Sequence, residues 1–414
     1  MIFLKIGNTK KTIAEWGCES PTLTFNSFSA DEFSFTTSLL NFRTAWMDFE
    51  TPLEIYQDST RVFVGYVQEP TVVKSGVGDN VQVSAKGLWD VFESTYYKNS
   101  WHPWYVSGTI SAIQDATKTQ IFGRRQDIGY GSTSGSYILD DPVFINNWSA
   151  QDFFTEEIIP AFANTSNASL FDIPAANIDF NSDLILPFEE KDNPTYADVF
   201  QSITKWHPEL LSWFDYSGVR PSLSIKSGDI CDILNIDISD TSEVSLTKDI
   251  KRHRNVILRV VKYIKGKNAA SWRYNKGYVD YKDEGVSDLQ RNVMVVPIDA
   301  CGDNYINNTF DAAGLHARLK AIVNVEDYTG SVSLYDRKLS NRYVGKRLNI
   351  KNSRENLDNI DAKIQSDSID LMSGTRQLTL GSDNQPDCSD FVSRIEWLMG
   401  EKKSFPYLSK LLQS

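Results

Sequence analysis

The most direct candidates for acid–base chemistry are three pairs of adjacent carboxylates: Asp140 with Asp141, Glu156 with Glu157, and Glu189 with Glu190. Hydrolysis of a glycosidic bond needs two carboxyl groups held at a fixed separation across a cleft. Neighbouring side chains point in different directions, so adjacency in sequence does not supply that separation. We therefore expect these pairs to be solvated faces or helix ends.

The chain has four histidines, which are His102, His207, His253 and His316. Two of them lie in aromatic turns, Trp101-His102-Pro103-Trp104 and Trp206-His207-Pro208. These turns have the composition of an aromatic sugar-binding surface. Aromatic rings also fill a small core efficiently, because each one buries a large apolar area. We expect packed turns at both places.

A basic run over residues 248–254 is the strongest local positive charge. It would either contact phosphates or an acidic neighbouring subunit, or act as a solvated connector to the strand that begins at Val256. The connector is the simpler interpretation. The glycine-rich segment 129–136 lacks the lysine of a phosphate-binding loop, so we expect a flexible loop there.

Four cysteines, Cys18, Cys231, Cys301 and Cys388, lie far apart, with no Cys-x-x-Cys pair and no metal-ligand histidine spacing beside them. Neither a zinc site nor a disulfide framework is expected from that arrangement. The sequence therefore predicts free thiols, no metal and no cofactor. No nucleophile elbow, zinc-protease motif or calcium loop is present either. We predict no catalytic residues and a protein that is not an enzyme.

The bulk properties limit the class of protein. A chain of 414 residues is long enough for two to four domains. The net charge of -12 argues against a surface that grips nucleic acid, and it is compatible with a channel wall that repels DNA phosphates. The simpler interpretation of this charge is solubility alone. No apolar segment reaches the roughly 18 residues of a membrane span. The first residues do not have the pattern of a signal peptide, so we expect synthesis and first folding in a cytoplasm.

The β-strand pattern occurs in two parts of the chain. Apolar and polar residues alternate over residues 22–25, 33–36, 53–56, 62–67 and 80–87. Short strands at this spacing predict a small barrel or split barrel, which we assign to residues 1–90. Strands return over residues 246–385, where 256–263 and 294–298 have the strongest pattern, and we assign a second small barrel domain to that range.

Residues 91–245 have a different pattern and are assigned to an α/β insertion domain. Ser149 precedes one predicted helix as a capping residue. Thr195 precedes another, which carries Val199 and Ile203 on one face. Residues 213–218 and 221–225 predict two strands around a glycine turn. The fold class is therefore mainly β with an α/β insertion, followed by a C-terminal helical tail over residues 386–414.

The C-terminal strands carry a resemblance to a known family. Residues 344–350, 362–371 and 374–381 are alternating strands that end in a glycine, and residues 389–395 lead to the chain end. This order resembles the end of the tail hub (baseplate hub) proteins of phage tails and of contractile secretion-system spikes. Residues 56–65 and 81–90 are similar to the hairpin pair in the first barrel of that family.

The resemblance implies a structural virion protein. In that family each subunit has two barrels, and three subunits form a ring of pseudo-sixfold symmetry that adapts a hexameric tail tube to a trimeric spike or fibre. The expected partners are further copies of the chain, a tail tube or distal tail protein, and a spike or fibre protein. DNA is expected only in transit, with no membrane anchoring. The expected location is the tail tip of a virion assembled in the host cytoplasm.

One alternative stays open, a glycan-binding or glycan-cleaving tail-associated protein. Its ten tryptophans would line a cleft between the insertion and a barrel. A hub should self-associate as a trimer or join tube subunits, whereas a glycan-cleaving monomer need not. Oligomeric state therefore separates the two interpretations.

Overall fold

The fold is seen in a computed structural model. It describes residues 1–39, 42, 47, 49–75, 78–98, 118–121, 124–125, 144–145, 148–186, 189–204, 206–207, 209–250, 255–264, 275–289, 293–299, 312–324, 326–351 and 362–381. The glycine-rich segment 129–136 and the helical tail predicted at 386–414 lie outside these residues. Strands dominate the described part, which confirms the predicted mainly β fold class.

The N-terminal strands form one half of the largest sheet. They are β1 (Ile2–Ile6), β2 (Thr9–Thr12), β3 (Glu19–Asn26), β4 (Glu32–Ser38), β5 (Pro52–Gln57), β6 (Thr60–Val67), β7 (Thr71–Ser75) and β8 (Gly78–Gly87). The strand order is β3-β4-β8-β6-β5-β1-β2, and β7 also pairs with β8. Leu23 on β3 pairs with Phe33 on β4, and both are fully buried. The alternation at residues 22–25 and 33–36 therefore predicted these strands correctly.

Helices and short strands alternate in the middle of the chain. They are α1 (Asp90–Ser94), β9 (Lys118–Ile121), β10 (Arg124–Arg125), β11 (Phe144–Ile145), α2 (Ala150–Phe153), α3 (Ile159–Ala163), β12 (Ile178–Asp179), β13 (Glu189–Asp192), α4 (Tyr196–Thr204), β14 (Leu210–Asp215) and β15 (Ser222–Ser227). A π-helical turn, Phe154–Ile158, joins α2 to α3. β14 and β15 are the antiparallel strands predicted around the Gly218 turn.

Both predicted helix starts in this region have side-chain caps. The Ser149 hydroxyl accepts a hydrogen bond from the Asp152 backbone N–H at 3.0 Å. At α4, the Thr195 hydroxyl accepts from the Asp198 N–H at 3.2 Å, and the Asp198 carboxylate accepts from the Thr195 N–H at 2.7 Å. Such reciprocal caps satisfy backbone donors that a helix start leaves unpaired.

Most of the C-terminal strands continue the largest sheet. In chain order they are β16 (Ile233–Asp237), β17 (Thr241–Ile250), β18 (Asn255–Ile264), β19 (Asn275–Tyr281), β20 (Val293–Asp299), β21 (Glu326–Tyr335), β22 (Arg347–Lys351), β23 (Ala362–Asp370) and β24 (Thr375–Leu380). β18, β19 and β20 form a separate sheet, which packs against helix α5 (Ala312–Asn324). The others follow the order β17-β21-β24-β23, and β22 links β23 to β16. β23 then pairs with β3, so strands from both ends of the chain share one curled sheet.

Two hydrophobic cores lie under this sheet. The larger core joins the N-terminal strands to the insertion through a run of aromatic rings, in which Phe92 lies 4.9 Å from Phe200 and 5.1 Å from Phe162 between ring centroids. The smaller core includes Val332, Leu348, Ile364 and Leu378 under the C-terminal strands. Among the helices of the described segments, none is long and apolar enough to span a membrane.

Candidate assembly site

The junction between the N-terminal and C-terminal strands is the first feature of the candidate site. β23 runs antiparallel to β3, with Ser368 opposite Thr24 and Asp370 opposite Thr22. The Thr24 hydroxyl donates to the Ser368 hydroxyl at 3.0 Å. Backbone pairing across this junction makes the two strand groups one mechanical unit, because separating them would break a row of ladder hydrogen bonds.

A buried arginine lies on the C-terminal side of this junction. Arg376 is fully buried, and its Nη1 contacts Asp367 Oδ2 at 3.0 Å. The same guanidinium donates to the carbonyl oxygens of Asp336 (3.1 Å), Lys338 (2.6 Å) and Asn341 (2.5 Å). One side chain therefore fixes the course of the loop that follows β21, because its donors point in a rigid fork.

The loop is fixed a second time through Asp336. Its Oδ2 accepts from the Tyr343 hydroxyl at 2.7 Å and from Asn341 Nδ2 at 3.1 Å, and its Oδ1 accepts from the Lys338 N–H at 2.8 Å. Burial and the bond to Asp336 raise the pKa of Tyr343 to about 12. Burial opposes ionisation of Asp336, but these hydrogen bonds hold its pKa below the ordinary value.

A second buried carboxylate lies on the N-terminal side. Asp31 accepts from the Tyr216 hydroxyl at 2.7 Å and from the Asn26 N–H at 2.8 Å. Burial raises the pKa of Asp31, and the charge of Arg342 opposes that rise. The Arg342 guanidinium stacks over the rings of Phe25 and Tyr216, at 4.5 and 5.1 Å.

Burial also raises the pKa of Asp367, to about 6, against the opposing charges of Arg376 and Arg342. Arg342 thus acts on one buried carboxylate from each strand group. The loop over residues 336–346 is held between β3, β23 and the insertion, and we call this arrangement the ionic joint.

One end of the molecule displays several large apolar side chains. Gln57 Nε2 donates to the Arg337 carbonyl at 2.9 Å, and Gln57 Oε1 accepts from the Leu339 N–H at 2.8 Å. Arg61 donates to the carbonyl oxygens of Gly218 and Val219 at 2.5 and 3.0 Å. Three loops are therefore tied together at this end. The apolar side chains exposed on them or beside them are Met1, Val219, Tyr335 and Met372.

The sheet also has free edges. Within the described part of the chain, β2 pairs only with β1, β16 only with β22, and β17 only with β21. A free edge offers unpaired backbone N–H and C=O groups, which are a template for pairing with another chain. These edges and the exposed apolar end are the surfaces with the properties of an assembly site.

The second aromatic turn, a candidate for sugar binding, is buried in the interior and does not form a binding surface. Trp206 and His207 are both buried, and His207 Nδ1 lies 3.1 Å from Glu209 Oε1. Arg318 of α5 forms an ion pair with the same carboxylate. This turn is the packed turn that we expected, and it fastens the insertion to α5. The other tryptophans buried in the described segments are Trp16, Trp89 and Trp148.

The remaining candidates do not come together. Glu156 and Glu157 lie on the π-helical turn, and Glu189 and Glu190 lie on β13. Lys248 is on β17. His316 is buried, with Nε2 2.9 Å from the Val256 carbonyl oxygen. Candidates outside the described residues are Asp140, Asp141, His102, His253 and residues 251–254 of the basic run.

No group of three or more histidine, cysteine or acidic side chains suited to a metal occurs in the segments that the structure describes. Cys18 and Cys231 are buried free thiols. Burial raises the pKa of these thiols to about 12 and about 11. Cys301 and Cys388 lie outside the described residues.

Sequence reasoning missed the ionic joint, although the pattern contains a signal for it. In β24 the inward residues are Arg376, Leu378 and Leu380, and in β23 Asp367 alternates with Ile369 on the inward face. Strict period-two alternation therefore placed one cation and one carboxylate on the buried face. A buried charge requires a partner, so the alternation pattern indicates that Arg376 and Asp367 form a buried ion pair.

These features define a β-rich class of fold, with one curled sheet and an inserted α/β layer. A tail protein from Neisseria meningitidis has a similar structure, with a TM-score of 0.53 and 12% identity over 94% of this chain and 98% of that chain. Prophage tail protein gp18 from Listeria monocytogenes is also similar, with a TM-score of 0.50 and 11% identity over 96% of this chain and 99% of that chain. The fold is therefore of a kind found in phage tail proteins.

A component of the E. coli type VI secretion system is described as structurally similar to the bacteriophage T4 tail proteins gp27 and gp5. It aligns with a TM-score of 0.44 and 7% identity over 92% of this chain and 77% of that chain, a similarity too low to support an argument. No protein-family model and no curated protein matches the sequence.

Proposed function

We propose that this chain is a structural, non-catalytic component of a phage-type tail, and that it forms a trimeric hub at the tail tip. The observation that carries the proposal is the similarity in fold to two tail proteins over nearly the full length of each chain. The ring would adapt a hexameric tube above it to a trimeric spike or fibre below it. In this proposal the protein is assembled in the host cytoplasm.

The ionic joint supports this role mechanically. A hub transmits load between a tube and a spike, so its two strand groups must keep a fixed relative orientation. Arg376, Asp367 and Arg342 are packed between those groups, and the β3–β23 ladder adds backbone pairing. The Arg376 guanidinium donates to Asp367 and to three loop carbonyls, and a buried cation held in this way favours one arrangement of the loop over others.

The charge supports the role of a conduit. With a net charge of -12, each copy repels DNA phosphates on average, and a ring of copies would do so more strongly. DNA would pass through the lumen without being retained. The tryptophans buried in the described segments fill core positions, so the glycan-binding alternative has no comparable support from them.

Light scattering on the purified chain at several concentrations tests the proposal. We expect a species with three times the mass of the 46.9 kDa chain. Negative-stain images of that species should contain rings with a central opening. A monomer at every concentration, or a closed dimer, would contradict the proposed ring.

A further inference from the structure

We infer that copies of this chain contact one another head to tail, with the basic β1–β2 hairpin of one copy against an acidic sheet edge of the next. The basic hairpin is residues 1–12, and the acidic edge is residues 229–243. The inference rests on the proposed ring and names the two surfaces that would close it.

Strand topology places the two surfaces at opposite ends of the sheet. β2 lies beyond β1 at one end of the strand order, and β17, which contributes residues 241–243 to the acidic edge, lies at the other end. β16 lies beyond β22, on a branch from β23. β2 has four residues and β16 has five. The Thr12 N–H already donates to Glu15 Oε2 at 2.7 Å and the Thr12 carbonyl accepts from the Trp16 N–H at 3.1 Å, so the open edge of β2 is residues 9–11. A contact between unlike ends of one subunit is heterologous, and such contacts generate closed rings when the rotation permits.

The acidic edge concentrates negative charge. It contains five carboxylates and no lysine or arginine: Asp229, Asp232, Asp237, Asp240 and Glu243. All of these except Asp237, which is half-buried, are exposed. Asp237 Oδ1 accepts from the Ser239 N–H at 2.9 Å, which holds the turn between β16 and β17. The cations on the next strand inward are Arg347, which lies opposite Ile233, and the exposed Lys351, which lies opposite Asp237. The carboxylates therefore occupy the outer strand, with two cations on the strand behind it.

Apolar side chains accompany these charges. Ile230 is 43% exposed and Ile233 is 50% exposed, and both lie within the acidic edge. Exposed apolar residues beside free backbone groups mark a contact surface, because burial there removes apolar area from water while pairing the edge. A second chain that supplies a strand edge and positive charge would match the free backbone groups and the negative charge of this edge.

The basic hairpin supplies that edge and that charge. Lys10 and Lys11 are exposed on β2, and adjacent strand residues point to opposite faces. The ammonium of Lys10 lies 3.8 Å from the centroid of the Tyr56 ring, and that of Lys11 lies 4.8 Å from the Trp16 ring. These rings hold one positive charge on each face of the edge strand.

Charge also gives the contact a direction. Two basic hairpins repel each other, as do two acidic edges, whereas unlike edges attract. Self-pairing of like edges is thereby disfavoured, and the head-to-tail arrangement is the one that charge selects.

Charge reversal tests the contact in the full-length chain. One variant carries Lys10→Glu with Lys11→Glu, a second carries Asp232→Lys with Asp240→Lys, and a third carries all four changes. A control carries Lys98→Glu with Asp183→Lys, which are exposed and lie outside both surfaces. Association is measured by analytical ultracentrifugation, and folding by circular dichroism melting.

We expect each two-residue reversal to weaken self-association by about tenfold or more, because like charges then face one another. The variant with all four changes should regain association, and the control should match the native chain. The native contact should also weaken as salt shortens the screening length to about 8 Å at physiological ionic strength.

The outcomes separate this inference from the proposed ring. If the native chain forms a trimer that neither reversal weakens, the edge contact is wrong and the ring stands. If the native chain forms open oligomers that the reversals dissolve and the combined variant restores, the edge contact stands and the trimeric ring is wrong. A native chain that is monomeric at every concentration overturns both.

Discussion

Arg376 Nη1 and Asp367 Oδ2 are 3.0 Å apart, and neither side chain has any exposed surface. The pair joins β24 to β23 beside the strand that crosses to the N-terminal half of the sheet. Two charges removed from water stabilise a fold only when each is fully partnered. Arg376 meets that condition through three loop carbonyls in addition to Asp367.

Replacing Arg376 with methionine should destabilise the protein by about 3–5 kcal/mol, because it leaves a buried carboxylate without its cation. Urea denaturation at pH 7.5 measures this change. Arg337→Met is the matched control, since Arg337 is exposed on the same loop and its bonds to the Ser373 carbonyl are long, at 3.3 Å. Similar losses in the two variants would show that the ion pair is not the cause.

The stability of the protein should depend on pH through Asp367. Its pKa in the folded protein is about 6, above the ordinary value of 3.8, because burial penalises the charged form. The folded state therefore binds the proton more tightly than the unfolded state. The proton bound to Asp367 contributes fully to the free energy of unfolding below the ordinary pKa of 3.8, and this contribution is lost as pH rises through about 6. Over that window the free energy of unfolding falls by up to about 1.4 kcal/mol per pH unit.

Asp367→Asn removes this titration. The difference in unfolding free energy between the native protein and this variant should fall between about pH 4 and 6 and then stay constant. Urea denaturation at half-unit pH steps measures it, with Asp183→Asn as an exposed control that follows the native protein. Parallel pH profiles for the native protein and Asp367→Asn would contradict the assigned pKa.

Gly345→Ala should destabilise the ionic joint from its other side. Gly345 has a φ of +85°, and a Cβ there would lie 2.4 Å from Cε3 of the Trp213 ring. Gly285→Ala is the matched control, because Gly285 has a φ of +78° and no heavy atom within 4 Å of such a Cβ. Both variants incur about 1–2 kcal/mol of left-handed backbone strain. Gly345→Ala should lose about 1–3 kcal/mol more, from overpacking against Trp213.

Thermal and urea unfolding of the two glycine variants provide the measurement. Equal losses would mean that the Trp213 ring moves aside without resistance. In that case the loop over residues 336–346 would be less firmly packed on the insertion than the contacts of Gly345 imply.

Tyr216→Phe should cost about 1–3 kcal/mol, because it leaves one oxygen of the buried Asp31 without its hydroxyl donor. Tyr66→Phe is a control at a half-buried tyrosine and should have a smaller effect. Urea denaturation compares the two. If the losses are the same, the Asp31–Tyr216 bond does not stabilise the N-terminal side of the ionic joint.

Much of the fold could be predicted from sequence because period-two alternation is strong where one face of a strand is buried. Leu378 and Leu380 alternate with polar residues along β24 and are buried. Leu23 and Phe33 lie opposite each other on β3 and β4, each within an alternating segment. The pairing of β3 with β23 could not be predicted, since it joins residues more than three hundred positions apart and no local pattern encodes it. The burial of Arg376 was not predicted, because a single charged residue in a strand pattern is ordinarily interpreted as facing solvent.

The most direct test of the account is electron cryomicroscopy of the purified full-length chain. We predict a ring of three copies around a three-fold axis, with a central opening and with the basic hairpin of each copy against the acidic edge of its neighbour. A particle that contains one copy, or two copies related by a two-fold axis, would contradict the account.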